Sequence, residues 1–194
     1  MSVSLKKGET VSLRKAAGDA TLTQVRMGLG WDAVKKRGLF GGAKTQSIDL
    51  DASCLLFDDS GRLLDQVWFR QLRSQDGAVV HTGDNLTGAG EGDDESIIVD
   101  LGALSPVVDT LVFVVNSFTG QNFSQIENAY CRMLDQRTDR ELARYDLSGG
   151  GAHTAQVMAK VVRGGDGWAM TALGVPAAGR TFQDLLPVIT HHLQ

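Results

Sequence analysis

Residues Val157-Met158-Ala159-Lys160-Val161-Val162-Arg163, Gly164-Gly165-Asp166-Gly167 and Trp168-Ala169-Met170-Thr171-Ala172-Leu173 read in that order as strand, tight turn and strand. Branched and aromatic side chains suit the pleated runs, and Gly and Asp supply the backbone angles of a hairpin turn. The pattern recurs upstream. Residues 131–134 and 140–145 flank Asp135-Gln136-Arg137-Thr138-Asp139 as a second hairpin. Residues 110–118 hold Leu111-Val112-Phe113-Val114-Val115, a run that fits a strand buried on both faces. Further strands are expected at 11–13, 22–29, 48–57, 66–72, 78–81 and 96–101, with turns at Ala17-Gly18-Asp19-Ala20 and Asp58-Asp59-Ser60-Gly61. Residues 30–45, rich in Gly and Lys, read as an exposed, mobile loop. A helical turn is expected at 122–130, with Ser124 as N-cap, and a helix near 181–193, where Phe182, Leu185, Leu186 and Ile189 recur at helical spacing. No strand–helix alternation supports a doubly wound sheet. The expected fold is mainly β: a β-sandwich of two antiparallel sheets with one or two short helices, as a single domain over residues 1–194.

The charge is unevenly spread. From Ser74 to Cys131 there are nine acidic residues and no Lys or Arg. The segment carries −9 against −4 for the whole chain, which leaves +5 for the remainder. Such a region repels phosphate backbones and attracts cations, so nucleic acid is excluded as a partner. Cys54 and Cys131 are far apart and outside any C-x-x-C spacing, so both read as buried apolar residues rather than a redox or thiol–metal site. Residues 1–10 lack the apolar run of a signal peptide, and no stretch reaches the roughly 18 apolar residues of a membrane span. The expected location is the cytoplasm.

The acidity peaks in Gly83-Asp84-Asn85-Leu86-Thr87-Gly88-Ala89-Gly90-Glu91-Gly92-Asp93-Asp94-Glu95. Crowded carboxylates repel one another unless a cation neutralises them. Calcium accepts 6 to 8 oxygens at flexible angles, whereas magnesium holds to an octahedron with several waters. Zinc is excluded, because neither His nor Cys lies within the loop. The twelve positions from Asp84 to Glu95 are not an EF-hand: Leu86 and Gly88 stand where oxygen-bearing side chains are needed, and the next segment reads as strand. A second acidic element, Ile48-Asp49-Leu50-Asp51-Ala52-Ser53, alternates so that Asp49, Asp51 and Ser53 share one strand face. Buried there, two carboxylates need a partner, and a cation would serve. Asp32 is a third candidate. Each element has a plain alternative, since an Asp/Gly loop is equally a solvated turn and strand-end acids also cap turns. Similarly, His81 reads as a structural hydrogen-bonding residue, Lys35-Lys36-Arg37 as a solvated loop, and Trp31, Trp68 and Trp168 as core.

With these motifs in place, the chain resembles the TerD family. Val3-Ser4-Leu5-Lys6-Lys7-Gly8 and Gly28-Leu29-Gly30-Trp31-Asp32 are similar to its opening segments, and Asp49-Leu50-Asp51-Ala52-Ser53 to its D-L-D-A-S strand. His81-Thr82-Gly83-Asp84-Asn85-Leu86-Thr87-Gly88, continuing to Gly92-Asp93-Asp94-Glu95, resembles its most distinctive loop. Asn122-Phe123-Ser124-Gln125, Ala143-Arg144-Tyr145-Asp146-Leu147, and Gly167-Trp168 followed by Ala172-Leu173-Gly174 also match. By contrast, Val67-Trp68-Phe69-Arg70-Gln71-Leu72 departs from the family's aromatic-Asn pattern.

The resemblance implies a β-sandwich that binds two calcium ions, with a bacterial cytoplasmic role in tellurite resistance and stress response. The ligand set it implies is Asp49, Asp51, Asp84, Asn85, Glu91, Asp93, Asp94 and Glu95, with Asp32, and with a backbone carbonyl from Gly88. The expectation is a calcium-binding stress protein without chemistry of its own, ordered by calcium and recognised by other stress-response or tellurite-resistance proteins, with peripheral membrane contact. The alternatives are a metal-dependent hydrolase, or a calcium-dependent membrane-binding module in which Lys35-Lys36-Arg37 and Phe40 touch anionic lipid.

Overall fold

A computed structural model describes residues 3–18, 22–32, 34–37, 43–46, 49–83, 92–146 and 151–193, with the backbone alone at 3, 32, 34–37, 43–46, 125 and 127. Two six-stranded sheets face each other. The first runs in the spatial order β1 (Val3–Ser4), β12 (Arg140–Asp146), β11 (Glu127–Asp135), β3 (Gln24–Asp32), β9 (Glu95–Asp100) and β8 (Val79–His81). The second runs β2 (Thr10–Ser12), β14 (Gly167–Ala177), β13 (Ala155–Gly164), β10 (Thr110–Ser117), β6 (Leu50–Phe57) and β7 (Leu63–Val67). Pairing is antiparallel throughout, except where the short β1 lies parallel to β12. The hairpin read from residues 157–173 is β13–β14, closed by Gly164 facing Gly167. The one read around 135–139 is β11–β12.

Alternation along the strands sorts side chains into two apolar layers. Met27 and Leu29 of β3, Ile97 and Val99 of β9, and Met133 of β11 meet Leu50, Cys54 and Leu56 of β6 and Leu111, Phe113 and Val115 of β10 between the sheets. The opposite faces of β6 and β10, with Leu55, Phe57, Val112 and Val114, are covered by Phe182, Leu185 and Ile189 of helix α2 (Phe182–Thr190). That covering helix explains why β6 and β10 are apolar on both faces. Truncating Leu185 or Ile189 to Ala costs about 2–5 kcal/mol at such a buried site. Asp184 fixes the start of α2 by accepting from the backbone N–H groups of Arg180 (2.8 Å) and Thr181 (3.2 Å). The two cysteines are free and buried, as expected, and burial pushes both thiols up. No helix among the described residues is long and apolar enough to cross a membrane.

Four local expectations are corrected. Residues 34–37 and 43–46 are β4 (Val34–Arg37) and β5 (Ala43–Gln46), a separate two-stranded ribbon, where the sequence reads as a loop. Its Lys and Gly content hides a ladder made by backbone groups alone. Residues 122–130 hold only a 3₁₀ turn, Phe123–Gln125, with Asn122 rather than Ser124 at its N-cap. From Glu127 the chain is already β11, where pairing with β3 overrides the helical signal. Leu13 opens a short helix, α1 (Leu13–Ala16), instead of ending a strand, because Ser12 Oγ accepts from Lys15 N. Finally, the strand read at 66–72 stops at Val67, which shapes the site below.

Candidate metal centre

β7 pairs with β6 only from Cys54 to Phe57. The edge of β6 at residues 50–53 is therefore left to other groups, and the acidic segments gather beside it. Glu95, the first residue of β9, reaches across from the facing sheet, and its Oε2 accepts from Ala52 N at 2.8 Å. Glu95 is 1% exposed, and a buried carboxylate requires such donors. His81 Nε2 lies 3.4 Å from the same oxygen. His81 Nδ1 accepts from Gly83 N at 3.1 Å, which turns Nε2 towards Glu95, where it has no hydrogen bond among the described residues. His81 thus ties the start of the acidic segment to its end.

Asp51 is 6% exposed, and across the ladder its register partner is Asn116 of β10, 1% exposed. Opposed residues in an antiparallel pair project to the same face with Cβ atoms about 5 Å apart. Asn116 is a polar residue next to last in β10, directly after its apolar run, and neither Oδ1 nor Nδ2 has a hydrogen-bond partner among the described residues. A buried amide in that state is costly unless something absent from the polypeptide engages it. Sequence reading did not single it out, although its place directly after Leu111-Val112-Phe113-Val114-Val115 is a signal.

The remaining candidates divide. Asp49 lies half-buried just before β6, two residues from Asp51. Asp94 Oδ2 accepts from Trp31 N at 2.9 Å, and Asp94 N donates to Leu29 O at 2.8 Å, so this residue laces the segment to β3. Asp93 turns to the outer face of the first sheet. There it accepts from Arg132 Nε at 2.7 Å and sits 3.9 Å from Arg26 Nε. It lies directly over Gly28, where a Cβ would come within 2.1 Å of its Oδ2, so only glycine admits the carboxylate. Tyr130 O–H donates to Gly92 O at 2.9 Å; burial, then the charge of Asp93, pushes its phenol up. The hydrogen bond to Asp93 likewise raises the Arg132 guanidinium. Asp84, Asn85, Gly88 and Glu91 lie outside the described residues, and only the backbone of Asp32, opposite Glu127, is described. Among the described residues, no three His, Cys, Asp or Glu side chains form a group able to hold a metal ion.

The TerD domain model matches residues 1–187 of the chain. The chain belongs to the TerD family. It is 52% identical over 185 residues to the tellurium resistance protein TerZ of Serratia marcescens, covering 94% of each chain. It is 38% identical over 199 residues to the stress response protein SCP2 of Bacillus subtilis (strain 168), covering 96% of this chain and 98% of that one. Among solved structures, a homologue of the telluride resistance protein TerD from Streptomyces coelicolor A3(2) superposes with a TM-score of 0.70 at 21% identity, over 89% of this chain and 98% of that one. That likeness shows a shared fold. Asp51 of β6, Asp49 just before it and the Glu95 bridge to Ala52 give this TerD domain an acidic end built from both sheets.

Proposed function

We propose that this TerD-family chain is a cytoplasmic calcium-binding stress protein, acting through partners rather than by catalysis, and that the acidic end of its sandwich holds two calcium ions. The observation that carries this reading is the buried Asn116 amide, without a hydrogen bond among the described residues, in register with buried Asp51. A hard cation is the chemistry that such oxygen donors fit. Asp49, Asp51 and Asn116 Oδ1 would hold it, joined by the Asp84, Asn85 and Glu91 side chains and by Asp32. When bound, calcium supplies positive charge that offsets the repulsion among the carboxylates. Glu95, Asp94 and Asp93 orient the segment: they anchor its C-terminal end to β6, β3 and the Arg26–Arg132 pair. Ordering of the segment against those anchors presents one surface to other stress-response proteins.

The test is calcium titration of the metal-stripped chain by calorimetry, with thermal melts alongside. Saturation at two ions per chain, and at 100-fold excess over Kd a stabilisation of about 2.7 kcal/mol for each site filled, are expected. For a domain of this size each filled site raises Tm by about 5–10 °C. Absence of both heat and stabilisation overturns the proposal.

A further inference from the structure

The motif that departs from the family pattern, Trp68-Phe69-Arg70-Gln71-Leu72, has a defined form. Trp68 N donates to Gln71 O at 3.0 Å and Gln71 N to Trp68 O at 2.9 Å, which closes a tight turn with Phe69 and Arg70 at its corner. The Phe69 ring meets Trp68 edge-on at 4.9 Å and Phe118 at 5.6 Å, and Trp68 rests on Phe182 of α2 at 5.1 Å. Exposed Arg70 stacks its guanidinium over the Trp68 and Phe69 rings, at 5.6 and 5.3 Å. Among the described residues three large apolar side chains stay exposed, and two belong here: Leu72 at 45% and Phe118 at 39%.

This aromatic corner stands beside the acidic end. Leu72 O accepts from His81 N at 2.8 Å, two residues before Gly83, and Phe118 follows Ser117, the register partner of Leu50. A convex turn with a few apolar side chains is far short of the roughly 800 Å² per partner that a stable protein interface buries. It suits a bilayer surface instead, where aromatic rings enter the interfacial layer and an Arg keeps its head among phosphates. The neighbouring carboxylates would repel anionic headgroups while unneutralised.

We propose that residues 68–72 and Phe118 form a tip that engages anionic phospholipid bilayers once calcium has neutralised the carboxylates beside it. This rests on the calcium binding proposed above. The experiment is co-sedimentation of the full chain with phosphatidylcholine vesicles, with or without phosphatidylserine, in calcium or chelator. Quenching of Trp emission by brominated acyl chains is read in parallel. Trp31 and Trp168 are buried, so quenching reports Trp68. Binding to phosphatidylserine vesicles in calcium is expected, with Trp68 quenched, at least about tenfold weaker in chelator. A Phe69→Ser, Phe118→Ser double variant is expected to lose about tenfold per ring, with a Tm lowered by the lost ring contacts but a cooperative melt and an unchanged vesicle-free calcium titration. Normal calcium heat with no sedimentation, equal sedimentation in chelator, or a double variant that binds like the parent overturns the tip. Loss of the calcium heat itself, measured without vesicles, marks failure of the metal site instead.

Discussion

The two ends of the sandwich are both acidic, yet their carboxylates are held in opposite ways. At the end where β6 finishes, Asp58 takes hydrogen bonds from Ser60 and Arg62, two and four residues away. Asp76 takes them from Ser74 and Ala78, and Asp100 from Gly102 and Ala103, with one remote donor each, Ser105 to Asp76 and Gln24 to Asp100. These acids mainly serve the turns they sit in, and the partners of Asp58 hold its carboxyl below the usual range. At the other end the partners are remote: Glu95 reaches 43 residues to Ala52, Asp94 63 residues to Trp31, and Asp93 39 residues to Arg132. One end uses charge to shape local chain; the other uses it to join strands that meet only in the folded state.

If that contrast is real, substitutions at the two ends should differ in size and in calcium response. Glu95→Ala is expected to be the largest, about 3 kcal/mol in urea unfolding, because it strands the buried Ala52 N–H and breaks the link between sheets. A loss no greater than that of Asp58→Asn would erase the distinction. Asn116→Val should split two properties. The metal-free chain gains about 1–2 kcal/mol by shedding an unpartnered buried amide, while calcium affinity falls about tenfold or more by calorimetry. Stabilisation without loss of affinity would remove Asn116 from the site. Asp93→Asn should cost about 1 kcal/mol, the value of a part-exposed ion pair, and that cost should shrink in high salt.

The smallest effect is at the turn end. The Gln24 amide, opposed by some burial and aided by the Ala103 and Gly102 N–H groups, holds the Asp100 carboxyl below its usual 3.8. A depressed carboxyl contributes stability that is complete above its ordinary value and lost as pH falls through the folded one. Asp100→Asn should therefore lower neutral-pH stability slightly, by the contribution of that charge, and make acid unfolding below pH about 4 shallower. An unchanged acid profile would show that the turn does not draw on that charge.

Legibility followed the same division. The hairpins β11–β12 and β13–β14 and the apolar face of α2 were readable, because turn residues and periodicity are local signals. Asp51 was readable as a polar residue within an apolar strand, whereas Asp49, expected on the same strand face, lies just before β6. Asn116 was not readable, since its meaning comes from a register partner 65 positions back, given by the β6–β10 ladder. Asp93 read as one more oxygen donor of an acidic run. Only the approach of Arg26 and Arg132 over Gly28 shows it as an anchor. The β4–β5 ribbon was missed for the same reason as the short β7: composition does not reveal which backbone groups find partners.

The early stop of β7 has a consequence for self-association. A strand edge with open amides invites another copy of the chain to add a strand and begin an aggregate. At residues 50–53 that invitation is withdrawn. Glu95 already occupies the Ala52 N–H, and Asp49 and Asp51 bring negative charge that an incoming identical edge would also carry. The carboxylates proposed to gather a cation thus also keep the protein dispersed, and the chain should be most prone to cluster when those acids are neutralised and no second surface is present to take their place.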